Sequence, residues 1–341
     1  MNQAHPTRAS TSVILLYHQV GDPAADPFSQ FIRPEHFAGQ MAVVARHRAV
    51  ALADLAREAR AGSVAPGTVA VTFDDGYVSN LRLAKPALER AAVPATVFVT
   101  TAMTGGERDF WWNDLAVALE RAPTPTGELC LAVGGRERVW AVDEVDRREL
   151  LFEIWAWLRL ARPDDVRPAV AAARAWAGLE PAGPPAEEAR CMTVAELHEL
   201  LSGGLVDIGA HTRTHPMLSA LAPADQREEI AGSRSDLEAW LGRPVATFAY
   251  PFGHRVTEYR AAAVRAVRAS GFEAAVAVAE QPLSDRWPTL ELPRHAVPDI
   301  PADEFAVWLA ERLDPPRSRR RLLEWGPVRA LRERVATPGR L

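Results

Sequence analysis

Short apolar runs alternate with amphipathic stretches over most of this chain. Val13-Ile14-Leu15-Leu16-Tyr17, Val69-Ala70-Val71-Thr72-Phe73 and Ala95-Thr96-Val97-Phe98-Val99-Thr100 are bounded runs of the kind that form buried strands. Between the first two, Pro34 opens a helix with Phe37, Met41 and Val44 at i, i+4 and i+7. A second helical pattern over 52–61 stops at Gly62, and 83–92 reads as a third helix. Further on, Thr193-Val194-Ala195-Glu196 is a capping box that opens a helix, followed by a strand over 205–210. Residues 223–241 form a helix with Ile230, Leu237 and Leu241 on one face and Gly242 just past its end. Strands over 245–250, 273–279 and 290–295 then alternate with helices over 258–270 and 303–312. Strands alternating with helices imply an α/β fold with a parallel sheet and crossover connections.

Seven candidate strands therefore end near residues 17, 73, 100, 210, 250, 279 and 294. His18, Asp74, Asp75, His211, Tyr250 and His295 lie at or just beyond those ends. In a β/α barrel that rim is where active sites are built.

The regular pattern stops between about 103 and 192. A short helix follows Phe110-Trp111-Trp112-Asn113, and 129–133 and 137–140 form a hairpin across Gly134-Gly135. A helix over 149–162 carries Phe152, Trp155 and Leu158, and Pro181-Ala182-Gly183-Pro184-Pro185 is a cluster of breakers. This is a mostly helical insertion of about 90 residues. Its place after the third strand makes it a lid or side-wall beside the rim; the blander alternative is a packing appendage that never touches substrate.

With 341 residues, 48% of them hydrophobic, the chain can fill one large barrel or two modest domains. We divide it into one barrel domain over 12–312, with the insertion inside it, and a basic tail over 313–341. A net charge of −5 gives no reason to expect nucleic acid as a partner. Two cysteines make no disulfide framework. Residues 1–11 are polar and the run at 13–17 is too short for a signal-peptide core or a membrane span, so the expected location is the cytoplasm. The arginines at 317–321 would at most add weak contact with an anionic membrane surface. Nothing in the composition speaks to oligomeric state.

The chemistry concentrates in two stretches. Asp74-Asp75-Gly76 ends a strand with two adjacent carboxylates, each of which disfavours the other's ionised form. A bound cation removes that cost: one carboxylate can ligate it while the other serves as a base. A solvated Asp-Asp-Gly turn is the alternative for this stretch taken alone. His211 and His215 have the spacing with which two imidazoles grip a metal, and Pro216 argues for a tight loop rather than a long helix. Together the two stretches supply an Asp-His-His set with open positions for water and substrate.

Thr72-Phe73-Asp74-Asp75-Gly76 followed by His211-Thr212-Arg213-Thr214-His215 resembles the polysaccharide deacetylase family, the NodB-homology carbohydrate esterases. Tyr17-His18-Gln19-Val20 and Phe248-Ala249-Tyr250-Pro251-Phe252-Gly253 resemble further segments of its branch with an N-terminal YHxV motif. The likeness covers most of 12–102 and 193–310. It implies a distorted (β/α)₇ barrel with the insertion between the two metal-binding motifs. It implies Asp75, His211 and His215 as metal ligands, Asp74 as general base, and the Tyr250 backbone N–H as an oxyanion donor. For the general acid it favours His18, with His295 as runner-up. Zn²⁺ suits the mixed imidazole and carboxylate set; Co²⁺, Ni²⁺ or Fe²⁺ would bind the same donors. The implied activity is metal-dependent removal of an N-acyl group, N-acetyl above all, from an amino sugar in surface glycan biosynthesis. The alternatives are a deformylase or amidohydrolase on a small or lipid-linked sugar, and an inactive carbohydrate-binding relative. Retention of both Asp and both His argues against inactivity.

Overall fold

The computed structural model describes residues 12–121, 127–142, 146–281, 283 and 287–314. All but two residues of the expected basic tail lie outside that set. Seven parallel strands close a barrel: β1 (Val13–Tyr17), β2 (Thr68–Phe73), β3 (Ala95–Val99), β4 (Val206–Ala210), β5 (Thr247–Ala249), β6 (Ala274–Val278) and β7 (Leu292–Ala296). Each pairs with its neighbour in chain order. Closure is made by β1, which lies between β2 (Leu15↔Val71) and β7 (Leu15↔His295). The expected barrel is thus observed, with a two-residue strand Arg48–Ala49 added alongside β2. β5 is only three residues long, shorter than the apolar run at 245–250 suggests.

Both faces of each strand are buried, which is why the runs are apolar throughout rather than alternating. Ile14, Ala70, Phe98, Ala249, Val276 and Leu292 point inward and pack on one another. Leu15, Tyr17, Val71, Phe73 and Phe248 point outward into a helix-covered layer that includes Phe37 and Met41. That outer layer is built by α1 (Pro34–Val44), α3 (Lys85–Ala91) and further helices after the insertion, whereas α2 (Leu52–Ala61) packs Leu52, Leu55, Ala56 and Ala59 with the inner cluster. α2 ends on Gly62 at φ +65°, a left-handed turn that favours glycine. A π-helical turn, Asn80–Ala84, precedes α3, so the helix expected at 83–92 starts earlier and with a wider turn.

The insertion holds α4 (Trp111–Arg121), the hairpin Glu128–Val133 with Arg136–Ala141, α5 (Arg147–Leu158) and α6 (Pro163–Trp176). These elements share a second core, with Leu115, Leu131, Ile154, Val166 and Ala173 all fully or nearly fully buried. Tyr77 and Cys191, which flank the insertion's roots, join it. α6 is not among the elements expected from the sequence. Pro168 costs it one backbone hydrogen bond, and small alanines blur the stripe made by Val166, Ala169, Val170 and Ala173.

Back in the barrel, α7 (Val194–Leu201) carries the expected capping box: Glu196 N–H donates to Thr193 Oγ1 at 3.2 Å and Thr193 N–H to Glu196 Oε2 at 2.8 Å. α8 (Pro223–Leu241), α9 (Ala261–Ala269) and α10 (Ala302–Leu313) complete the outer layer. Among the described residues no helix is long and apolar enough to cross a membrane.

Candidate metal and catalytic site

The C-terminal ends of the strands open into a cavity of about 310 Å³. His18, Asp74, Asp75, His211 and His215 line it, so the structure brings five of the seven residues singled out from the sequence to one place.

Asp74 and Asp75 follow β2 directly. Asp75 takes φ +74° and Gly76 φ +85°, a tight reversal that turns both carboxylates into the cavity. A side chain at Gly76 would meet Val99 at 3.3 Å, so the turn needs glycine for space as well as for φ. The loop after β4 is equally contorted, with Thr212 at φ +63° and His215 at φ +58°. From His211 to Met217 it contains no helix, as Pro216 predicts, and a 3₁₀ turn, Leu218–Ala220, follows. Glu229 of α8 holds it, accepting from Arg213 N–H and Thr214 N–H at 2.9 Å each and from Thr214 Oγ1 at 2.7 Å.

One ligand atom each from Asp75, His211 and His215 lies within 4.8 Å of the others. Asp75 Oδ1 stands 3.7 Å from His211 Nε2 and 3.5 Å from His215 Nε2. It is buried and has no hydrogen-bond partner among the described residues. A buried carboxylate oxygen without a donor is costly, and a divalent cation is the partner that two neutral imidazoles and a carboxylate would share. His211 is oriented for this role, since its Nδ1–H donates to Ala249 O at 2.8 Å and leaves the Nε2 lone pair facing the carboxylates. Burial lowers the pKa of both histidines, which keeps them in the neutral form that ligates. Burial, then the charge of Asp74, pushes Asp75 well above the usual carboxylate range, a penalty that a cation reverses. The donor set therefore fits a divalent metal.

Asp74 is held differently. Arg294 on β7 grips both its oxygens, at 2.6 and 2.7 Å. Burial alone would raise the Asp74 pKa, but Arg294, His211 and His18 outweigh it and bring it down to about 2. Asp74 is thus ionised and fixed in one orientation, 3.8 Å from His211 Nε2. His18 sits at the end of β1, its carbonyl accepting from Asn80 Nδ2 at 2.8 Å. Its ring is half-buried, and desolvation lowers its pKa to about 4 against the pull of Asp74.

Two expectations are corrected. Tyr250 does not line the cavity. Its N–H is engaged by Val276 O at 3.2 Å, and its ring lies flat on Tyr259 with the hydroxyl donating to Leu290 O. Position 250 is on the outward face of its strand, like Phe248, so neither its ring nor its N–H is free to meet an oxyanion. His295 also points outward. It packs near Trp308 of α10, and its ring nitrogen Nε2 donates to Gln281 O at 3.1 Å. Closure of the barrel does put β1 beside β7, but His295 registers with Leu15 on the outer face. The period of two hands the inward position to Arg294, which is fully buried and lies over Phe98.

Arg294 is the functional residue that sequence reasoning passed over. The signal was present: an arginine inside an apolar strand one residue before the rim needs a carboxylate partner. Also unforeseen were Phe28, Phe252, His254 and Glu258, which line the cavity from loops. The insertion reaches it through Trp112, Phe152 and Trp155, which favours the side-wall over the appendage. Trp112 packs against His215, 4.9 Å between ring centroids.

The fold and the site define a β/α-barrel hydrolase with a metal-competent Asp-His-His set. The family profile described as "Polysaccharide deacetylase" matches residues 61–122 and 182–275, on either side of the insertion, and supports a sugar deacetylase. A comparison with curated protein sequences finds no match. Among solved structures, the deacetylase PplD from Streptococcus pyogenes, solved in complex with acetate, superposes with a TM-score of 0.58 at 17% identity, covering 89% of this chain and 99% of that one. IcaB from Ammonifex degensii gives 0.55 at 19% identity over 89% and 98% of the two chains. The BpsB deacetylase domain from Bordetella bronchiseptica gives 0.51 at 17% identity over 86% and 98%. At these identities the likeness speaks for the fold.

Proposed function

We propose that this chain is a metal-dependent hydrolase that removes an N-acyl group, most simply N-acetyl, from an amino sugar of a surface glycan. The observation that carries the reading is the contrast between neighbouring carboxylates: Asp75 has an unpartnered buried oxygen facing two imidazoles, while Asp74 is locked on Arg294 beside it. One is arranged to share a cation and the other to move a proton. Zn²⁺ is the metal we favour for this donor set.

Bound by Asp75, His211 and His215, a divalent metal supplies Lewis-acid polarisation of the amide carbonyl and lowers the pKa of water. Asp74, ionised and oriented by Arg294, takes the proton from the attacking water. Water oxygen bonds to the acyl carbon, the C–N bond breaks, and the amine nitrogen must gain a proton as it leaves. His18 lines the same cavity, so we assign it that donation. Because its ring rests in the neutral form, the proton it delivers is the one Asp74 has taken from the water, passed on to the departing amine, so that Asp74 and His18 both end the cycle as they began it. A cytoplasmic site of action remains part of the proposal, to be checked by cell fractionation.

The test is direct. Purified protein loaded with Zn²⁺ is offered a panel of N-acetylated and N-formylated amino sugars, free, oligomeric and lipid-linked, and released acetate and formate are measured. Acetate release that a chelator abolishes and metal restores is expected. Stoichiometric metal without release of either acid from any member of the panel would reject the activity. Release of formate alone would replace deacetylation by deformylation.

A further inference from the structure

The proposed activity leaves one part of the cavity unexplained. Its far wall is aromatic and comes from three separate segments: Phe28 from the loop after β1, Phe152 and Trp155 from α5 of the insertion, and Phe252 from the loop after β5. The rings touch in a chain. Phe28 lies 5.7 Å from Phe152 and 6.0 Å from Trp155, and Trp155 lies 5.8 Å from Phe252. Trp155, Phe28 and Phe252 are half-buried rather than sealed in a core, so part of their surface meets the cavity.

A latch joins this wall to the barrel. Arg159, just past the end of α5, donates to Glu258 Oε1 at 2.8 Å, and its guanidinium covers Trp155 at 4.4 Å and Phe252 at 5.5 Å. Glu258 is buried and also lines the cavity. Its second oxygen accepts from His254 N–H at 2.8 Å. Each oxygen of an ionised carboxylate can accept two hydrogen bonds, so both retain capacity.

Resting on the proposed activity, we infer that Trp155 and Glu258, held together by Arg159, form a specificity subsite for a sugar ring of the substrate. The apolar C–H face of a pyranose would lie on the aromatic wall, and a hydroxyl would donate to Glu258. The pairing of an aromatic face with a buried carboxylate favours a sugar over an acyl or lipid chain, because a hydrocarbon laid against Glu258 would strip it of water and offer it no donor. Arg159 acts as a positioning residue, since it fixes the wall without lining the cavity.

The experiment compares two probes on the Zn²⁺-loaded full chain: 4-nitrophenyl acetate, an ester without a sugar, and the best-hydrolysed amino sugar of the panel above. Trp155→Ala and Arg159→Met are expected to raise KM for the sugar about tenfold, the scale of one lost aromatic contact, with a smaller change in kcat. The ratio of sugar to ester kcat/KM should fall by a similar factor, with bound Zn²⁺ retained. Trp155→Phe and Arg159→Lys should recover part of the loss, which a variant that merely unfolds would not. Glu258→Gln, which keeps an acceptor, should cost less than Glu258→Ala. Equal losses on sugar and ester would overturn the subsite. So would a loss that grows with acyl-chain length instead of following the sugar, which would assign the wall to the acyl group. Ester hydrolysis by the wild type with no amino sugar turned over would reject the deacetylase reading itself, and the subsite with it.

Discussion

The barrel and the insertion both bury dense apolar cores, yet they do so by different rules. In the barrel every strand is covered on two faces, so its side chains divide by the strand period between an inner and an outer layer. In the insertion the hairpin strand Glu128–Val133 alternates exposed and buried positions and packs one face only. The barrel places its chemistry at strand ends, where backbone geometry is fixed by neighbours on both sides. Among its described residues the insertion supplies no member of the candidate metal set; what it brings to the cavity is aromatic wall, through Trp112, Phe152 and Trp155. On that difference we propose catalysis for the barrel and selectivity for the insertion's wall, and each of the following outcomes would break or sharpen that division.

The largest effect is expected at the metal site. His211→Ala removes an imidazole that sits against both carboxylates, so bound metal and activity should be lost together. Metal analysis of the purified variant decides it: wild-type content would remove His211 from the ligand set.

Next comes Asp74→Asn. The amide cannot accept a proton from water, and it leaves Arg294 buried without its counter-charge. The rate should fall by about 10²–10⁴-fold while most of the metal stays bound. Metal lost in step with rate would make Asp74 a ligand. Arg294→Met should also be slow, but it strands the Asp74 charge in a buried site and should destabilise the barrel by about 3–5 kcal/mol, readable in denaturant melts.

A smaller and more selective effect is expected at His18. His18→Ala should be slow on a sugar amide, whose amine leaves only with a proton, and much less impaired on 4-nitrophenyl acetate, whose leaving group needs none. Equal impairment on both would leave His18 as a wall of the cavity and no more.

How legible was each region beforehand? The barrel's seven strands could be read because β-branched runs ended in Gly or Pro signals, and the Asp-Asp and His-x-x-x-His stretches followed two of those runs directly. What escaped was orientation. Tyr250 and His295 stand at the rim by residue count, but a strand turns alternate residues outward, and one position decides which side is met. The same parity hides Arg294, whose value becomes visible only once β7 lies two strands from β2 and its guanidinium reaches Asp74. In the insertion the hairpin was marked by Gly134-Gly135, while α6 was masked by its alanines and Pro168. The contact of α5 with the cavity could not be read at all, because the Arg159–Glu258 pair joins residues 99 apart in sequence.

Stability separates the regions further. Ile154 is fully buried in the insertion's core. Ile154→Ala should cost about 2–5 kcal/mol of local stability by cavity formation. Six of the ten tryptophans lie in the insertion, at 111, 112, 140, 155, 157 and 176, so fluorescence would report mainly on it. Metal affinity of the variant should stay close to wild type. A parallel loss of metal would mean that the two cores unfold as one, and that Trp112 packed on His215 couples them.

The smallest effect concerns two histidines that share a pKa near 4 for the same first reason, burial, yet face opposite sides of the barrel wall. His295 is nearly inaccessible, and after burial the charge of Arg312 adds to the depression. In the unfolded chain a histidine titrates near 6.5. Between about pH 6.5 and 4 the unfolded state therefore binds a proton that the folded state refuses. The stability His295 contributes is fully present above pH 6.5 and declines as the pH falls through that window, by about 1–3 kcal/mol. His295→Gln keeps an N–H that can donate to Gln281 O but does not titrate. Denaturant melts at pH 7.5 and pH 5 should therefore show a shallower acid loss for the variant than for the wild type. Its activity on the sugar amide at pH 7.5 should stay near that of the wild type, since the ring faces α10 and not the cavity. A rate loss matching that of His18→Ala, again confined to the amide, would return the acid role to His295 and would require β7 to present its other face to the substrate.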